Sequence, residues 1–298
     1  MRARLGILGI VLFVALDAML VLFAFRHVQA PPPSPSQTPS DAPHADRSHG
    51  PEVPANEGAG SAGEPTHMSV ADDGSYIRAT AGSCRRDRPP QIEISRSGGR
   101  DFDGTDVEGV TEVLRVAAVD SDNLSLVGTD ATCTPDLYVT EDGGSTWTSR
   151  KNGADSLWFA APDESAPRAV HAPGGLTKTP CKPLRVSAVA SDVLRILCVS
   201  GQVIGTADVG ANWVTLGNLP RATDVHFPSP SEGYAVATRR SCSAAVLGTV
   251  DGGYSWSRLS CLEGGIPRAI AAKGDNLGVQ VGGRLNISTD GGVSWAAP

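Results

Sequence analysis

The chain has little that points to a metal site, a nucleic acid or a cofactor. None of its six cysteines stands in a Cys-x-x-Cys pair or beside a histidine at ligand spacing, which removes the usual grounds for a zinc site. Cations do not dominate: 25 Lys and Arg face 32 Asp and Glu, for a net charge of −7, so no basic stripe invites a nucleic acid. From Pro31 to Thr66 there is no Phe, Trp or Tyr among nine prolines. Such a segment buries too little apolar surface to offset its ordering entropy. It reads as an extended spacer over residues 31–67, in which His44, His49 and His67 are solvated linker residues.

What precedes the spacer is an apolar run from Leu5 to Phe25, led by Arg2 and Arg4 and interrupted only by Asp17. At about 1.5 Å per residue it is long enough to cross a hydrocarbon layer of roughly 30 Å. Val28-Gln29-Ala30 is a weak version of a signal-peptidase site. Residues 1–30 are therefore expected to be an uncleaved, single-pass membrane anchor, with the remainder extracytoplasmic. Asp17 is expected to be an acid that a single span tolerates.

The strongest signal is a repeat. Four stretches obey Ser/Thr-x-Asp-x-Gly-x-x-Trp: Thr140 to Trp147 around Asp142, Thr206 to Trp213 around Asp208, Thr249 to Trp256 around Asp251, and Ser288 to Trp295 around Asp290. A fifth, Ser95 to Phe102, keeps the frame with Ser97 for Asp and Phe for Trp. Four of the five tryptophans lie in this one motif, which makes the repeat architectural. The Asp and Ser/Thr oxygens can bond amides in a tight turn whose glycine supplies a positive φ. A short strand should precede each turn, and the Trp should open the next strand and pack between sheets.

The motif resembles the Asp-box, or bacterial neuraminidase repeat, of sialidase-like and related β-propellers. That resemblance covers residues 70–298 and implies an all-β propeller over residues 68–298. Motif positions 97, 142, 208, 251 and 290 are separated by 45, 66, 43 and 39 residues. Three of these intervals each suit one four-stranded blade. Five blades are expected, or six if the long interval around Trp158 and Phe159 hides a blade without the motif. The last motif ends close to the C-terminus, so a strand near His67–Ala71 is expected to complete that blade.

Small-residue strands beginning with arginine precede the motifs, at Arg78, Arg115, Arg185, Arg221 and Arg268, with Arg168 as a sixth phrase. Were all of these innermost strands, the guanidinium groups would ring one mouth of the central channel. The alternative is that each lies over an aromatic or pairs with a nearby acid. The six cysteines fall in loops opposite the motif turns, and an even number in an exported chain implies disulfides. Adjacency favours Cys84–Cys133, Cys181–Cys198 and Cys242–Cys261. The same loops hold Arg85, Arg86, Arg88, Arg239, Arg240, Lys178 and Lys182, so that face is expected to be basic.

Three functions are compatible with this organisation. The first is a tethered scaffold that captures an envelope or membrane protein, or another anionic ligand, on the basic face. It resembles non-catalytic propellers of the photosystem II assembly-factor type, which carry an arginine patch for a protein partner. The second is a sialidase-like glycoside hydrolase; the N-terminal Arg-Ile-Pro phrase of that group is absent, and no spacing singles out an acid pair. The third is a glycan-binding module, which would need exposed loop aromatics such as Trp158. The scaffold reading is preferred, without an enzymatic activity.

Overall fold

The computed structural model describes residues 66–86, 88–161 and 167–296; the expected anchor and all of the spacer up to residue 65 lie outside them. Among the described residues no helix is long and apolar enough to cross a membrane. The only helical turn there is a 3-10 segment at Gly153–Ser156.

Six antiparallel sheets succeed one another along the chain. The first holds β1 (Thr66–Val70), β2 (Tyr76–Thr80), β3 (Gln91–Ser95) and β4 (Asp103–Thr105). The second holds β5 (Glu112–Ala118), β6 (Leu124–Thr129), β7 (Pro135–Thr140) and β8 (Thr148–Arg150). The third has three strands, β9 (Phe159–Ala160), β10 (Ala169–Ala172) and β11 (Gly175–Lys178). The fourth holds β12 (Pro183–Ala188), β13 (Leu194–Cys198), β14 (Gln202–Thr206) and β15 (Val214–Asn218). The fifth holds β16 (Ala222–His226), β17 (Gly233–Arg239), β18 (Cys242–Thr249) and β19 (Ser257–Leu262). The sixth comprises β20 (Pro267–Lys273), β21 (Asn276–Val281) and β22 (Arg284–Ser288). A single bridge from Ile287 to Ala296 begins a fourth strand there.

The first strand of each sheet packs against the first strand of the next, and β20 packs against β1, so the ring closes. This is a six-bladed β-propeller. The extra blade lies in the long motif interval, as the six-blade alternative requires. One expectation fails: Thr66 and His67 belong to β1, which pairs with β2 of its own sheet rather than completing the last blade. The ring is closed by packing between whole blades, with no strand shared across the seam among the described residues.

The repeated turns explain that packing. In each, the Ser/Thr hydroxyl donates to the aspartate and accepts the amide of the glycine two residues after that aspartate. Thr140 Oγ1 lies 2.7 Å from Asp142 Oδ1 and 2.9 Å from Gly144 N, and Thr206, Thr249 and Ser288 do the same. Asp142 also accepts the Thr146 amide at 2.8 Å. These donors hold the carboxylates below the ordinary range, Asp142 and Asp290 at about 2. The second glycine is obligatory at Gly144: its φ is +90°, and a Cβ would lie 2.3 Å from Ile94 Cδ1 of the preceding blade.

Each motif aromatic then fills a seam. Trp147 packs on the core between the first and second blades, Trp213 on that between the third and fourth, Trp256 between the fourth and fifth, and Trp295 between the fifth and sixth. Phe102 of the degenerate motif packs beside Met68, Tyr76, Leu285 and Ile287, the seam that closes the ring. Trp158 serves the blade that lacks a motif. It is buried, packs on the core between the third and fourth blades, and donates its indole N–H to Ala190 O at 3.1 Å and Ser191 O at 2.9 Å. It is not an exposed loop aromatic. Burying one such ring contributes on the order of 2–3 kcal/mol.

Candidate binding site in the channel and on its cysteine-side rim

Antiparallel connectivity puts the motif turns at one end of the ring and the β2–β3, β6–β7, β13–β14 and β17–β18 connections at the other. The disulfides gather at this second end. They join Cys84 to Cys133 across the first two blades, Cys181 to Cys198 within the approach to β12 and the end of β13, and Cys242 to Cys261 across β18 and β19. These are the three pairings expected from adjacency.

The innermost strands carry a recurrent β-bulge. The register slips between Val113 and Arg115 in β5, Pro183 and Arg185 in β12, Ala222 and Asp224 in β16, and Pro267 and Ala269 in β20. Arg115, Arg185, Asp224 and Ala269 are therefore equivalent, each just past its bulge. Because strand side chains alternate between faces, a slip of one residue decides which side chain reaches the channel.

The alignment of five arginines does not survive this. Arg78 lies on the second strand of its blade, where Nε meets Glu93 Oε2 at 2.8 Å and the guanidinium stacks 3.8 Å above Phe102. Arg268 is itself the bulge residue. Arg221 precedes its strand and is exposed. Only Arg115 and Arg185 line the central cavity, which measures about 280 Å³.

Three groups that sequence reasoning did not select line it with them: His67, Asp224 and His226. Cross-blade bonds fix the level of His67. Ser69 Oγ accepts the Ala118 amide at 3.1 Å, as Ser187 Oγ accepts the Phe227 amide at 2.8 Å. Ser69 thus matches Ser187, and His67, two residues earlier, matches Arg185. The signal that could have found it is the alternation of Thr66-His-Met-Ser-Val, a strand that the proline composition before it obscured.

Charge in this layer is governed by burial. Asp224 is enclosed and its carboxyl is pushed up to about 6, although Arg185 and the Ile270 and Val225 amides pull it down. His67 is lowered to about 3 by burial and by Arg185, against a backbone bond at Val113. His226 is lowered to about 4 by burial, with a backbone bond at Ala272 opposing and Arg115 and Lys273 adding to the fall. Both imidazoles are neutral at pH 7. Burial also lowers Arg115, whose Nη1 donates to Trp158 O at 3.2 Å.

On the rim, Arg221, Arg239 and Arg240 converge. Thr238 N donates to Arg221 O at 3.1 Å, and the Arg239 guanidinium donates to Pro220 O. Arg239 pairs with Cys242 across the β17–β18 turn that Arg240 occupies. Arg221 holds a φ of +61°, an uncommon conformation for a side chain of this size. Among the described residues, none of the three is ion-paired with a carboxylate.

The tyrosine–glutamate pair that a sialidase-like nucleophile would need does not line the channel among the described residues. Tyr234 hydroxyl does donate to Glu232 Oε1 at 2.6 Å, but the pair lies beside Trp256 and Leu259, away from the channel. Burial and Glu232 raise that phenol, the opposite of nucleophile activation.

The fold and site define a six-bladed propeller with a polar channel and an arginine-bearing, disulfide-braced rim. No family model and no curated protein matches the chain. Among solved structures, a fucose-binding lectin of Aleuria aurantia in complex with Fucα1-6GlcNAc is 12% identical over 79% of this chain and 94% of that one, with a TM-score of 0.50. That likeness shows the fold alone. YCF48 bound to D1 peptide is 18% identical over 78% of this chain but 66% of its own, with a TM-score of 0.32. A GH74 xyloglucanase from Xanthomonas campestris is 15% identical over 78% of this chain and 38% of its own, also with a TM-score of 0.32.

Proposed function

We propose that the chain is a membrane-tethered, extracytoplasmic binding scaffold that captures an anionic segment of an envelope or membrane protein on its cysteine-side rim. The turns are read as Asp-boxes of the sialidase-like kind, serving as architecture. The observation that carries the proposal is the convergence of Arg221, Arg239 and Arg240 on the Cys242–Cys261 end of the fifth blade without carboxylate partners. Three arginines whose backbones are held at one rim bring like charge together there, and an anion would offset it. Their planar forks suit carboxylates. Arg268 lies on the adjoining blade at its strand's bulge, and Arg115 and Arg185 lie deeper.

The expected anchor at 1–30 and the spacer that follows it, which ends before β1 begins at Thr66, would hold this rim off a membrane surface. Fractionation tests that part: the full chain should stay with membranes after alkaline extraction, and a chain lacking residues 1–30 should not. Pull-down from solubilised membranes tests the rim. Arg221→Glu with Arg239→Glu and Arg240→Glu should abolish recovery of the partner, and unchanged recovery rejects the reading.

A further inference from the structure

We propose that the central channel is a binding site for a small organic carboxylate, with Arg115 as its principal ligand and His226 opposite. This goes beyond the rim, and neither site depends on the other.

The argument begins with charge. The layer past the bulges holds two guanidiniums, Arg115 and Arg185, and one carboxylate, Asp224. Asp224 is committed three times: Oδ1 lies 3.5 Å from Arg185 Nε and accepts the Val225 amide at 2.8 Å, and Oδ2 accepts the Ile270 amide at 2.9 Å. Glu112 also lines the cavity, but it starts the strand three residues before Arg115 and accepts the Cys84 amide at 3.3 Å. Arg115 is thus left without a carboxylate, and its one hydrogen bond is to Trp158 O. Guanidinium does not lose its proton in proteins. A buried charge without an opposite charge beside it is costly. A monoanion beside Arg115 would both neutralise the layer and fill the remaining N–H positions.

Geometry selects the ligand class. The apolar part of the cavity wall favours an alkyl carboxylate over a phosphate, whose further oxygens would each need a donor. A guanidinium fork meets a carboxylate with two parallel bonds. The cavity of about 280 Å³ is at the small end of ligand sites, and its walls include Val116, Val186 and Val225, so an apolar tail of a few carbons is accommodated.

The histidines add a signature. His226 lies beside the Ala272 backbone on β20 and within electrostatic reach of Arg115 on β5 and Lys273 on β20, with Asp224 on its own strand. His67 bonds the Val113 backbone and faces Arg185 from β12. An anion seated between Arg115 and His226 shields the one from the other. The imidazole then takes up a proton more readily and becomes a second donor. Binding is therefore coupled to proton uptake.

The test uses the purified full chain in detergent, titrated calorimetrically at pH 6 with sodium propionate, with propionamide and sodium chloride at matched ionic strength. Propionate should bind saturably, propionamide and chloride should not, and heats in buffers of different ionisation enthalpy should show proton uptake. Arg115→Gln should weaken binding at least tenfold, and Arg258→Gln, on the exposed outer strand of the fifth blade, should leave it unchanged. Equal behaviour of propionate and chloride, or full retention by Arg115→Gln, overturns the proposal. Should Arg115→Gln fail to fold, the wild-type ring nitrogen resonances of His226 decide. Movement with propionate but not chloride supports the site, and no movement rejects it.

Discussion

Arg185 and Asp224 reach toward each other from adjacent blades, Nε to Oδ1 at 3.5 Å, while the second oxygen of Asp224 takes the Ile270 amide of the blade beyond at 2.9 Å. One carboxylate thus links three blades at the level where the innermost strands bulge. Ser69 and Ser187 make comparable links with neutral hydroxyls. Asp224 does so with a charge, and that charge has Arg185 beside it.

The costs of removing the two partners should therefore not add. Asp224→Ala leaves Arg185 enclosed and unpaired and orphans the Ile270 amide, so a loss of about 3–5 kcal/mol is expected. Asp224→Asn keeps an acceptor for Ile270 and should lose less. The double replacement Arg185→Met with Asp224→Asn should be less destabilising than the two single losses added together. Denaturant unfolding followed by tryptophan fluorescence measures all four; strict additivity would show that the pair is not coupled.

The seam that closes the ring depends on Phe102. The ring packs with Met68, Tyr76, Leu285 and Ile287 and carries Arg78 on its face at 3.8 Å. Phe102→Ala should destabilise by roughly 3 kcal/mol. Arg78→Ala should cost less, because that group is partly exposed and its pair with Glu93 is screened. Thermal melts would show a larger fall for Phe102→Ala. The reverse order would mean that the cation, not the aromatic, holds the seam.

Much of this was legible in the sequence, for a physical reason. The repeated turn recurs in five of the six blades, so spacing revealed five and left room for a sixth. Cysteine pairs followed from loop adjacency. What could not be read was which inner-strand side chains face the channel. A bulge adds one residue without changing composition, and it shifts alternation by one. Arg268 therefore falls on the bulge while Asp224 takes the place an arginine holds in β5 and β12. His67 was obscured because the proline-rich composition before it continues almost to the first residue of β1.

The disulfides should differ in worth. Cys84–Cys133 closes a span of 49 residues and ties two blades, whereas the other two close spans of 17 and 19. Loop-closure entropy predicts about 4 kcal/mol for the first and about 3 for each of the others. Paired serine replacements, compared by denaturant midpoint, should rank in that order. A smallest effect for Cys84–Cys133 would show that the first two blades are already held in register by Glu112, which accepts the Cys84 amide.

Acid should destabilise the propeller in two stages of different origin. His67 and His226 have native values of about 3 and 4, below the ordinary 6.5 or so of an unfolded histidine. The unfolded chain therefore binds more protons through this interval, and stability present above pH 6.5 is lost as pH falls toward 4. Asp224 works the other way. Its native carboxyl takes up a proton at about 6, before the unfolded one does, so it offsets one of the two histidines between pH 6 and 4. Relative to wild type, His226→Gln should flatten the pH dependence of unfolding free energy there by about 1.4 kcal/mol per pH unit, the value of one proton. Below pH 4 the turn aspartates take over. Asp142 and Asp290 stay ionised to about 2, so their contribution is present above the unfolded value and disappears as they protonate. Denaturant unfolding of wild type and His226→Gln at intervals from pH 7 to 3 separates the stages. An unchanged slope between pH 6 and 4 in His226→Gln would mean that this imidazole is already charged in the native channel.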